Sequence, residues 1–400
     1  MISFFFNKTR LLFFGFISIY FASFGQTFFI SIFNVEIRSV LELSNGEFGL
    51  IYSLATILSS ILLIWFGKLI DWMDLRIYTL IISLGLFFAC FSMFFLFNSV
   101  IFLFLILFAL RFFGQGSLTH TSLTTMARYY GSDRGKAISF GTFGAAFGEM
   151  TFPLIVVFLL SYFSWKESWL LAGTSIIIIF IPLSFYLLKD QKIRHESFLK
   201  ETINTEKRNW KIRQILYDKN FYIYLPIFLL PSFIITGLIF HQIFIANSKG
   251  WSLNLIASSF ISYAIFSILG LIIGGPLIDK VDTKKIIPFY LLPMFIGILT
   301  MILFSNFYII FIYMGLIGLS QGLHAPFTGA LWAELYGVLN LGTIRALLHA
   351  FGVFASALSP VLFGIFIDLN FSYYFLGILC LSMIIIFSYP ALMFRKYESK

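Results

Sequence analysis

A succession of apolar runs, each about 20 residues long and separated by short polar breaks, constrains this chain more than any other feature. Twelve such runs can be counted. As an α-helix, a run of this length crosses a hydrocarbon layer of about 30 Å, whereas a strand of a membrane barrel needs only about ten alternating residues. Because 60% of the residues are apolar and only 11% are charged, the chain lacks the polar surface of a soluble domain. We therefore expect an all-α membrane protein with twelve transmembrane helices.

The apolar runs define the expected spans to within roughly two to four residues at each end. In the first half they are Leu11–Phe33, Gly46–Phe66, Ile77–Phe97, Val100–Ala127, Ala137–Leu160 and Ser168–Leu188. In the second half they are Phe221–Ala246, Leu253–Gly275, Ile286–Phe304, Phe307–Leu335, Ala346–Ile367 and Phe371–Phe394. Ser44, three residues before Glu47, has the form of a capping box and predicts a helix start at the second run.

The distribution of Lys and Arg predicts the orientation of the chain in the membrane. If the N-terminus is cytoplasmic, 23 of the 27 basic residues fall on the cytoplasmic side. Only Arg38, Lys166 and Lys249 fall on the opposite side, and Arg111 lies within a span. The positive-inside rule then places both termini in the cytoplasm of a multi-pass protein of the inner (plasma) membrane. The net charge of +9 is spread over these loops, so we expect contacts with membrane lipid and no nucleic-acid partner.

A sequence repeat divides the chain into two halves. The segment Gly67–Arg76, after the second span, reappears as Gly275–Lys284 after the eighth, and Gln115-Gly116 reappears as Gln321-Gly322. The two offsets are 208 and 206 residues, which indicates a duplication of six helices. We expect an N-terminal six-helix bundle at 1–188, a polar cytoplasmic linker at 189–220 and a C-terminal six-helix bundle at 221–400.

Two of these segments resemble motifs of a known transporter family. The pattern Gly-x-Leu-x-Asp-x-x-(polar)-x-Arg/Lys at Gly67–Arg76 resembles the signature loop of the major facilitator superfamily, and Leu110–Gly116 is similar to the fourth-helix motif of that family. The resemblance covers essentially the whole chain and implies transport by alternating access. A looser likeness to the oxalate/formate and monocarboxylate branch implies an organic anion as substrate. The fifth span has Gly141, Gly144 and Gly148 but no Gly-Pro pair, which departs from the drug and proton antiporters.

Two ionisable side chains near the bilayer midplane are the first candidates for a functional site, because such groups are costly in hydrocarbon. Arg111 lies about halfway along the fourth span and Glu149 about halfway along the fifth. Two interpretations remain open: a buried structural pair, or a substrate carboxylate bound by Arg111 with Glu149 orienting it or carrying a coupling proton. Gln115 lies four residues after Arg111, on the same helical face.

Further candidates for substrate contacts or coupling lie in other spans. The segment that begins with His241 and Gln242 in the seventh span is loosely similar in sequence to the segment around Gln26 in the first span. This similarity predicts that Gln26 and Gln242 occupy equivalent positions on cavity-lining helices. Gln321 and His324, three residues apart in the tenth span, share a helical face and correspond to the region of Arg111. A histidine can relay a proton near neutral pH, although one hydrogen bond is enough to hold a neutral imidazole in a helix interface.

The family resemblance also implies a gating latch on the cytoplasmic side. In that family, aspartates of the signature loop meet a helix N-terminus and basic residues. The helix dipole favours a negative charge at that position. The candidate latch residues are Asp71, Arg76, Asp279, Arg134 and Arg345.

These observations favour a secondary active transporter of a small organic anion, such as a monocarboxylate, driven by a coupled proton or by exchange. We expect a monomer without a cofactor. Cys90 and Cys380 fall inside apolar spans, so neither a disulfide nor a metal site is indicated. Export of an amphipathic compound is the alternative within the class. A membrane-embedded enzyme or sensor is disfavoured, because no phosphate loop, nucleophile elbow, metal-ligand spacing or sizeable soluble domain is present.

Overall fold

The structure, a computed structural model, describes residues 2–130, 133–189, 215–280, 283–336 and 341–398. All regular secondary structure in these ranges is helical, which confirms the all-α fold class. Eleven of the described helices are long and apolar enough to cross a membrane, and one shorter apolar helix completes the expected twelve. In chain order they are α1 Thr9–Ile32, α2 Asn45–Asp71, α3 Leu75–Phe94, α4 Val100–Tyr129, α5 Gly135–Leu160, α6 Trp165–Leu187, α7 Lys219–Phe240, α8 Leu253–Ile278, the short α9 Ile287–Leu303, α10 Ile309–Tyr336, α11 Ala350–Asp368 and α12 Tyr373–Met393. Most of the expected linker, residues 190–214, lies outside the described residues.

Interruptions of the regular α-helix occur in α1, α4 and α7, near the middle or the end of each helix. Helix α1 changes to a 3-10 turn at Ser23–Gly25, becomes extended at Gln26 and resumes as an α-helix over Thr27–Ile32. Helix α7 ends at Phe240, and after a break at His241 a short helix, Gln242–Lys249, follows. The sequence echo between the first and seventh spans therefore marks a helix break in each half. Helix α4 contains a π-helical stretch over Leu110–Leu118, and such stretches are frequent at functional sites.

The first compact unit consists of Met1–Leu43 and Ile51–Thr205. Its helices α1 and α5 pack closely because glycines on α5 face the backbone of α1. A Cβ atom added at Gly144 would lie 3.0 Å from the Tyr20 backbone nitrogen. Gly148 packs against the side chain of Ser23. The glycines of α5 therefore allow the two helices to approach each other closely.

The second compact unit consists of Ser44–Leu50 and Glu206–Lys400. Helices α8 and α10 are its most closely packed pair. A Cβ atom added at Gly318 would lie 2.9 Å from the Tyr263 carbonyl carbon, and one added at Gly322 would lie 2.9 Å from the Leu271 backbone nitrogen. The backbones of the two helices therefore approach each other at distances that only glycine permits.

The start of helix α2 belongs to the second unit rather than to the first bundle, a difference from the expected 1–188 boundary. The capping box is confirmed: the Ser44 backbone N–H donates to Glu47 Oε2 at 2.8 Å, and the Glu47 backbone N–H donates to Ser44 Oγ at 3.2 Å. Asp368, the last residue of α11, accepts hydrogen bonds from the backbone N–H groups of Asn45 at 3.0 Å and Gly46 at 2.7 Å. These bonds to α11 explain why the first turn of α2 is part of the second unit.

Candidate functional site

The side chain of Arg111 lies against the break in helix α1. A helix break leaves carbonyl groups without their helical donors, and these groups need other partners inside a membrane. Arg111 Nη1 donates to the Gly25 carbonyl at 3.0 Å, and Arg111 Nε donates to Thr56 Oγ1 of helix α2 at 3.1 Å. A Cβ atom added at Gly25 would lie 2.7 Å from the Gln115 backbone nitrogen. The break of α1 and the π-helical stretch of α4 are therefore in backbone contact.

Arg111 is buried, and the described part of the chain offers it no acidic partner. Its side chain is 1% exposed, and its guanidinium carbon lies 5.0 Å from the centre of the Tyr52 ring. The Tyr52 hydroxyl is hydrogen-bonded to Thr27 Oγ1 at 2.7 Å. Among the described residues, no carboxylate lies within 4.0 Å of the guanidinium. Arg111 is thus a positive charge in the membrane interior that is held by neutral hydrogen-bond partners and one aromatic ring.

Glu149 is a second ionisable group in the first unit. Its side chain is partly buried on helix α5, and no hydrogen bond or salt bridge to it occurs within the described ranges. The preceding residue, Gly148, packs on Ser23 at the break of α1, and Ser23 Oγ is buried without a hydrogen-bond partner there. Arg111 and Glu149 are therefore not a salt-bridged pair. The interpretation of these two residues as a buried structural pair does not describe this structure.

The two glutamines of this region lie beside the same break. Gln26 is the extended residue between the two parts of α1, and Gln115 lies within the π-helical stretch of α4. Both side chains are partly exposed, and within the described ranges neither forms a hydrogen bond. The structure thus places Gln26, Gln115 and Arg111 at one junction of α1 and α4.

His241 and Gln242 lie at the break of helix α7 in the second unit. Both are buried, and His241 Nε2 is hydrogen-bonded to the Pro360 carbonyl of helix α11 at 2.8 Å. Gln242 lines a small, mostly aliphatic cavity with Trp251 and Tyr313. In this unit the break is therefore joined to α11 through an imidazole, whereas in the first unit it is joined to α4 through a guanidinium.

Gln321 and His324 have different surroundings, although both lie on helix α10. Gln321 is exposed. The His324 ring packs edge-on against Phe228 of helix α7, with the ring centres 6.0 Å apart, and His324 Nδ1 lies 3.4 Å from the Tyr290 hydroxyl. Among the described residues, His324 is therefore part of a hydrogen-bonded cluster and Gln321 is not.

The signature loop is anchored within the first unit. Asp71 forms a salt bridge with Arg128 at the end of helix α4, and Arg128 Nη1 also donates to the Ile70 carbonyl at 3.2 Å. Sequence patterns did not point to Arg128, although it lies at the end of the span whose motif was recognised. Arg76 bonds instead to Asp74, with Nη2 to Oδ2 at 3.0 Å, so it stabilises the start of α3. The side chains of Asp279, Arg134 and Arg345 lie outside the described residues.

Comparisons with known proteins agree with this architecture. The family model described as Major Facilitator Superfamily matches residues 12–258 and residues 232–399. Two solved structures of a bacterial homolog of the human lysosomal transporter Spinster, one inward-facing and occupied and the other inward-facing and unoccupied, are similar in fold. The first has a TM-score of 0.72 at 15% identity, covering 96% of this chain and 96% of that chain. The second has a TM-score of 0.66 at 15% identity, covering 96% of this chain and 95% of that chain. No curated protein sequence matches the chain.

Proposed function

Because the chain belongs to the major facilitator superfamily, we propose that it is a secondary active transporter that moves a small organic anion, such as a monocarboxylate, by alternating access. The observation that carries the proposal is Arg111, a buried cation for which the described residues supply no counter-charge. A proton gradient or solute exchange supplies the driving force. The plasma membrane with both termini in the cytoplasm is the location that the distribution of basic residues favours.

The physical argument rests on the cost of burying an unpaired charge. Moving an ion into a protein interior costs on the order of several kcal/mol, and a guanidinium cannot escape this cost by losing its proton. A carboxylate matches the planar donor fork of an arginine and removes the unpaired charge when it binds. The bonds to Gly25 and Thr56 fix the stem and one side of the Arg111 guanidinium. An anionic solute is therefore the partner that this arrangement favours.

Glu149 and the signature loop complete the proposal. Glu149 has no basic partner among the described side chains, and a carboxylate of this kind inside the membrane is suited to binding and releasing a proton. Glu149 is therefore the coupling residue that we propose. The salt bridge between Asp71 and Arg128 is the part of the proposed cytoplasmic latch that lies among the described side chains. Gln26 and Gln115 lie at the same junction of α1 and α4 as Arg111 and are proposed as solute contacts.

The test is uptake of labelled small carboxylates into proteoliposomes with an imposed proton gradient. We expect uptake that depends on the gradient. In Arg111→Gln the uptake rate should fall at least about tenfold, because the variant loses roughly one charge-assisted hydrogen bond to the solute. Arg10→Gln is the matched control: Arg10 also lies over a tyrosine ring, that of Tyr186 at 5.3 Å, but it is exposed at the start of α1. The control variant should retain the rate of the unmodified protein.

Two outcomes would contradict the anion proposal. Carboxylates that are not transported at all would exclude them as substrates, and unchanged uptake in Arg111→Gln would make the arginine a structural clamp on the helix break. The same liposomes would then be loaded with neutral amphipathic compounds, whose efflux is the alternative function.

A further inference from the structure

The end of helix α2 and the start of the signature loop are held by side chains of α3 and α4. The α-helical part of α2 ends at Phe66, and Gly67–Asp71 continues it as a tighter 3-10 turn. Carbonyl groups at a helix end are commonly satisfied by side chains. Three such bonds occur here within the first unit: Tyr78 Oη to the Phe66 carbonyl at 3.4 Å, His120 Nε2 to the Gly67 carbonyl at 3.2 Å and Arg128 Nη1 to the Ile70 carbonyl at 3.2 Å.

The bond to Gly67 determines which nitrogen of His120 carries a proton. A carbonyl oxygen can only accept a hydrogen bond, so the proton lies on Nε2. Thr124 Oγ1 lies 3.4 Å from the same nitrogen and is a second, weaker acceptor. A Cβ atom added at Gly67 would lie 3.1 Å from His120 Nε2. The imidazole therefore packs directly against the backbone where the loop begins.

The other ring nitrogen of His120, Nδ1, can take up a second proton. Within the described ranges Nδ1 makes no hydrogen bond, and the side chain is partly exposed. An imidazole changes its charge between about pH 5 and pH 8. Because the bond to Gly67 uses Nε2, a proton on Nδ1 leaves that bond in place. It also makes the bond charge-assisted, and such hydrogen bonds are roughly twice as strong as neutral ones.

The charges around His120 favour attachment of the loop. Among the described side chains, Asp71 of the loop attracts a positive charge on His120 and Arg128 of α4 repels it. Arg128 is itself salt-bridged to Asp71, which reduces the repulsion. From α3, the neutral Tyr78 faces Asp71, and Lys68 in the loop is exposed to solvent. Helices α1 and α5 also pack on this half of α4, but none of their described side chains acts electrostatically on His120.

The position of His120 at the end of α2 adds to this attraction. The last carbonyl groups of a helix carry the negative end of its dipole, which favours a cation. A second proton on His120 therefore strengthens its contact with Gly67 and adds an attraction to Asp71.

We propose that His120 positions the signature loop, and that a proton taken up at Nδ1 from the cytoplasm fastens the loop to helix α4 and slows the transport cycle. The attachment of the loop does not depend on which solute is carried. Its effect on transport rests on the proposed latch function of Asp71 and on the proposed orientation, which places the loop in the cytoplasm.

The attachment is tested with a spin label at Trp72→Cys in the purified full-length protein. The Trp72 side chain is 86% exposed, and both native cysteines are buried, so the label is confined to the loop. Between pH 8 and pH 5, the ratio of immobile to mobile label should rise about fivefold, because one hydrogen bond becomes charge-assisted. A label whose mobility is the same at both pH values would overturn the inference.

His120→Gln in the labelled protein isolates the titrating group. Glutamine keeps an N–H donor for the Gly67 carbonyl but takes up no proton in this pH range, so the label mobility should no longer depend on pH. His324→Gln, the same substitution at a partly exposed histidine of the second unit, is the matched control and should keep the full pH response. A pH response that persists in His120→Gln would assign it to another group and overturn the proposal.

The effect on transport is tested by uptake of labelled acetate and lactate into proteoliposomes whose internal pH is set to 7.5 or 5.5. The ratio of the two rates should be about fivefold larger in the unmodified protein than in His120→Gln, because only the unmodified loop is fastened at pH 5.5. Equal ratios in the two proteins would overturn the regulatory role. If neither acid is transported, the proposed anion transport fails, whereas the spin-label result still decides whether His120 fastens the loop.

Discussion

At the scale of single residues, side chains bind backbone carbonyl groups that lack a helical donor in both units. Arg111 binds the Gly25 carbonyl in the first unit. In the second unit Tyr290 binds the Ile227 carbonyl, which Pro231 leaves without a helical donor. In lipid an unpaired backbone carbonyl costs several kcal/mol, on the order of a lost hydrogen bond in an apolar medium. Both side chains are therefore needed for stability, and Arg111 is needed for the proposed chemistry as well.

Gly25 is the residue at which the smallest change should have the largest effect. A methyl group there would overlap the backbone of Gln115, 2.7 Å away, at the residue whose carbonyl accepts the hydrogen bond from Arg111. We expect Gly25→Ala to destabilise the protein by about 2 kcal/mol or more, as overpacking in a core does. The measurement is thermal unfolding in detergent followed by tryptophan fluorescence. Gly135→Ala is the control, because nothing lies within 4 Å of a Cβ atom there, and an equal loss in both variants would refute the close approach.

Glu36 should make the stability depend on pH. It lies between α1 and α2, its Oε2 atom is buried without a hydrogen-bond partner, and burial raises the pKa of the carboxyl above its usual value. An acid with a raised pKa in the folded state binds its proton more tightly there, so its favourable contribution is present at acidic pH and is lost as the pH rises through the folded pKa. We expect Glu36→Gln to raise the melting temperature at pH 7 and to have no effect at pH 4. A variant that is less stable than the unmodified protein at pH 7 would contradict this assignment.

At the scale of elements, the start of helix α2 shows how a distant residue completes a local signal. The capping box of Ser44 and Glu47 is readable in the sequence, but Asp368 lies 323 residues from Asn45. Its carboxylate binds two of the first backbone N–H groups of α2 and meets the positive end of the helix dipole. The close fit continues at Gly364, where an added Cβ atom would lie 2.5 Å from the Asn45 carbonyl oxygen.

Removal of the Asp368 carboxylate should weaken the start of α2. We expect Asp368→Ala to reduce the free energy of unfolding by about 1 kcal/mol, the usual effect of losing an N-terminal cap. The free energy of unfolding of Asp368→Asn should lie between that of the unmodified protein and that of Asp368→Ala, because asparagine retains one acceptor oxygen but loses the charge. Melting temperatures of the three proteins in the same detergent give the order, and an asparagine variant as weak as the alanine variant would assign the whole effect to charge.

At the scale of the whole molecule, the chain is a multi-pass membrane protein of the major facilitator superfamily with an interrupted helix in each half. The apolar runs and the repeat were sufficient to predict the twelve helical segments. The ninth is shorter than expected: its regular part is Leu292–Leu303, because Pro288 and Pro293 limit where the α-helix can begin.

The predicted orientation can be measured with single cysteines. Both native cysteines are buried, so a new cysteine at an exposed position reacts against a low background. We expect a membrane-impermeant maleimide added to intact cells to label Asn247→Cys, which lies after the break of α7, but not Lys68→Cys until the membrane is permeabilised. The reverse pattern would place the termini outside the cytoplasm.

The sequence alone determined the properties that depend on composition and on spacing along the chain. Long apolar runs require membrane helices, because only helices satisfy their own backbone groups within one segment. The repeat at Gly67–Arg76 and Gly275–Lys284 indicated the duplication, and the position of Arg111 within a span marked it as a candidate. Even the helix breaks left a trace, in the echo between Gln26 and Gln242.

Only the tertiary structure decided which groups are partners. Arg111 binds the Gly25 carbonyl rather than Glu149, and Asp71 binds Arg128. The role of Tyr290 was invisible in the sequence, since it depends on a proline 59 positions earlier freeing a carbonyl that folding then brings within 2.8 Å of the hydroxyl. Periodicity tells which face of a helix a residue occupies, but hydrogen bonds depend on distances of a few ångströms between separate helices, and those distances are set by how the helices pack.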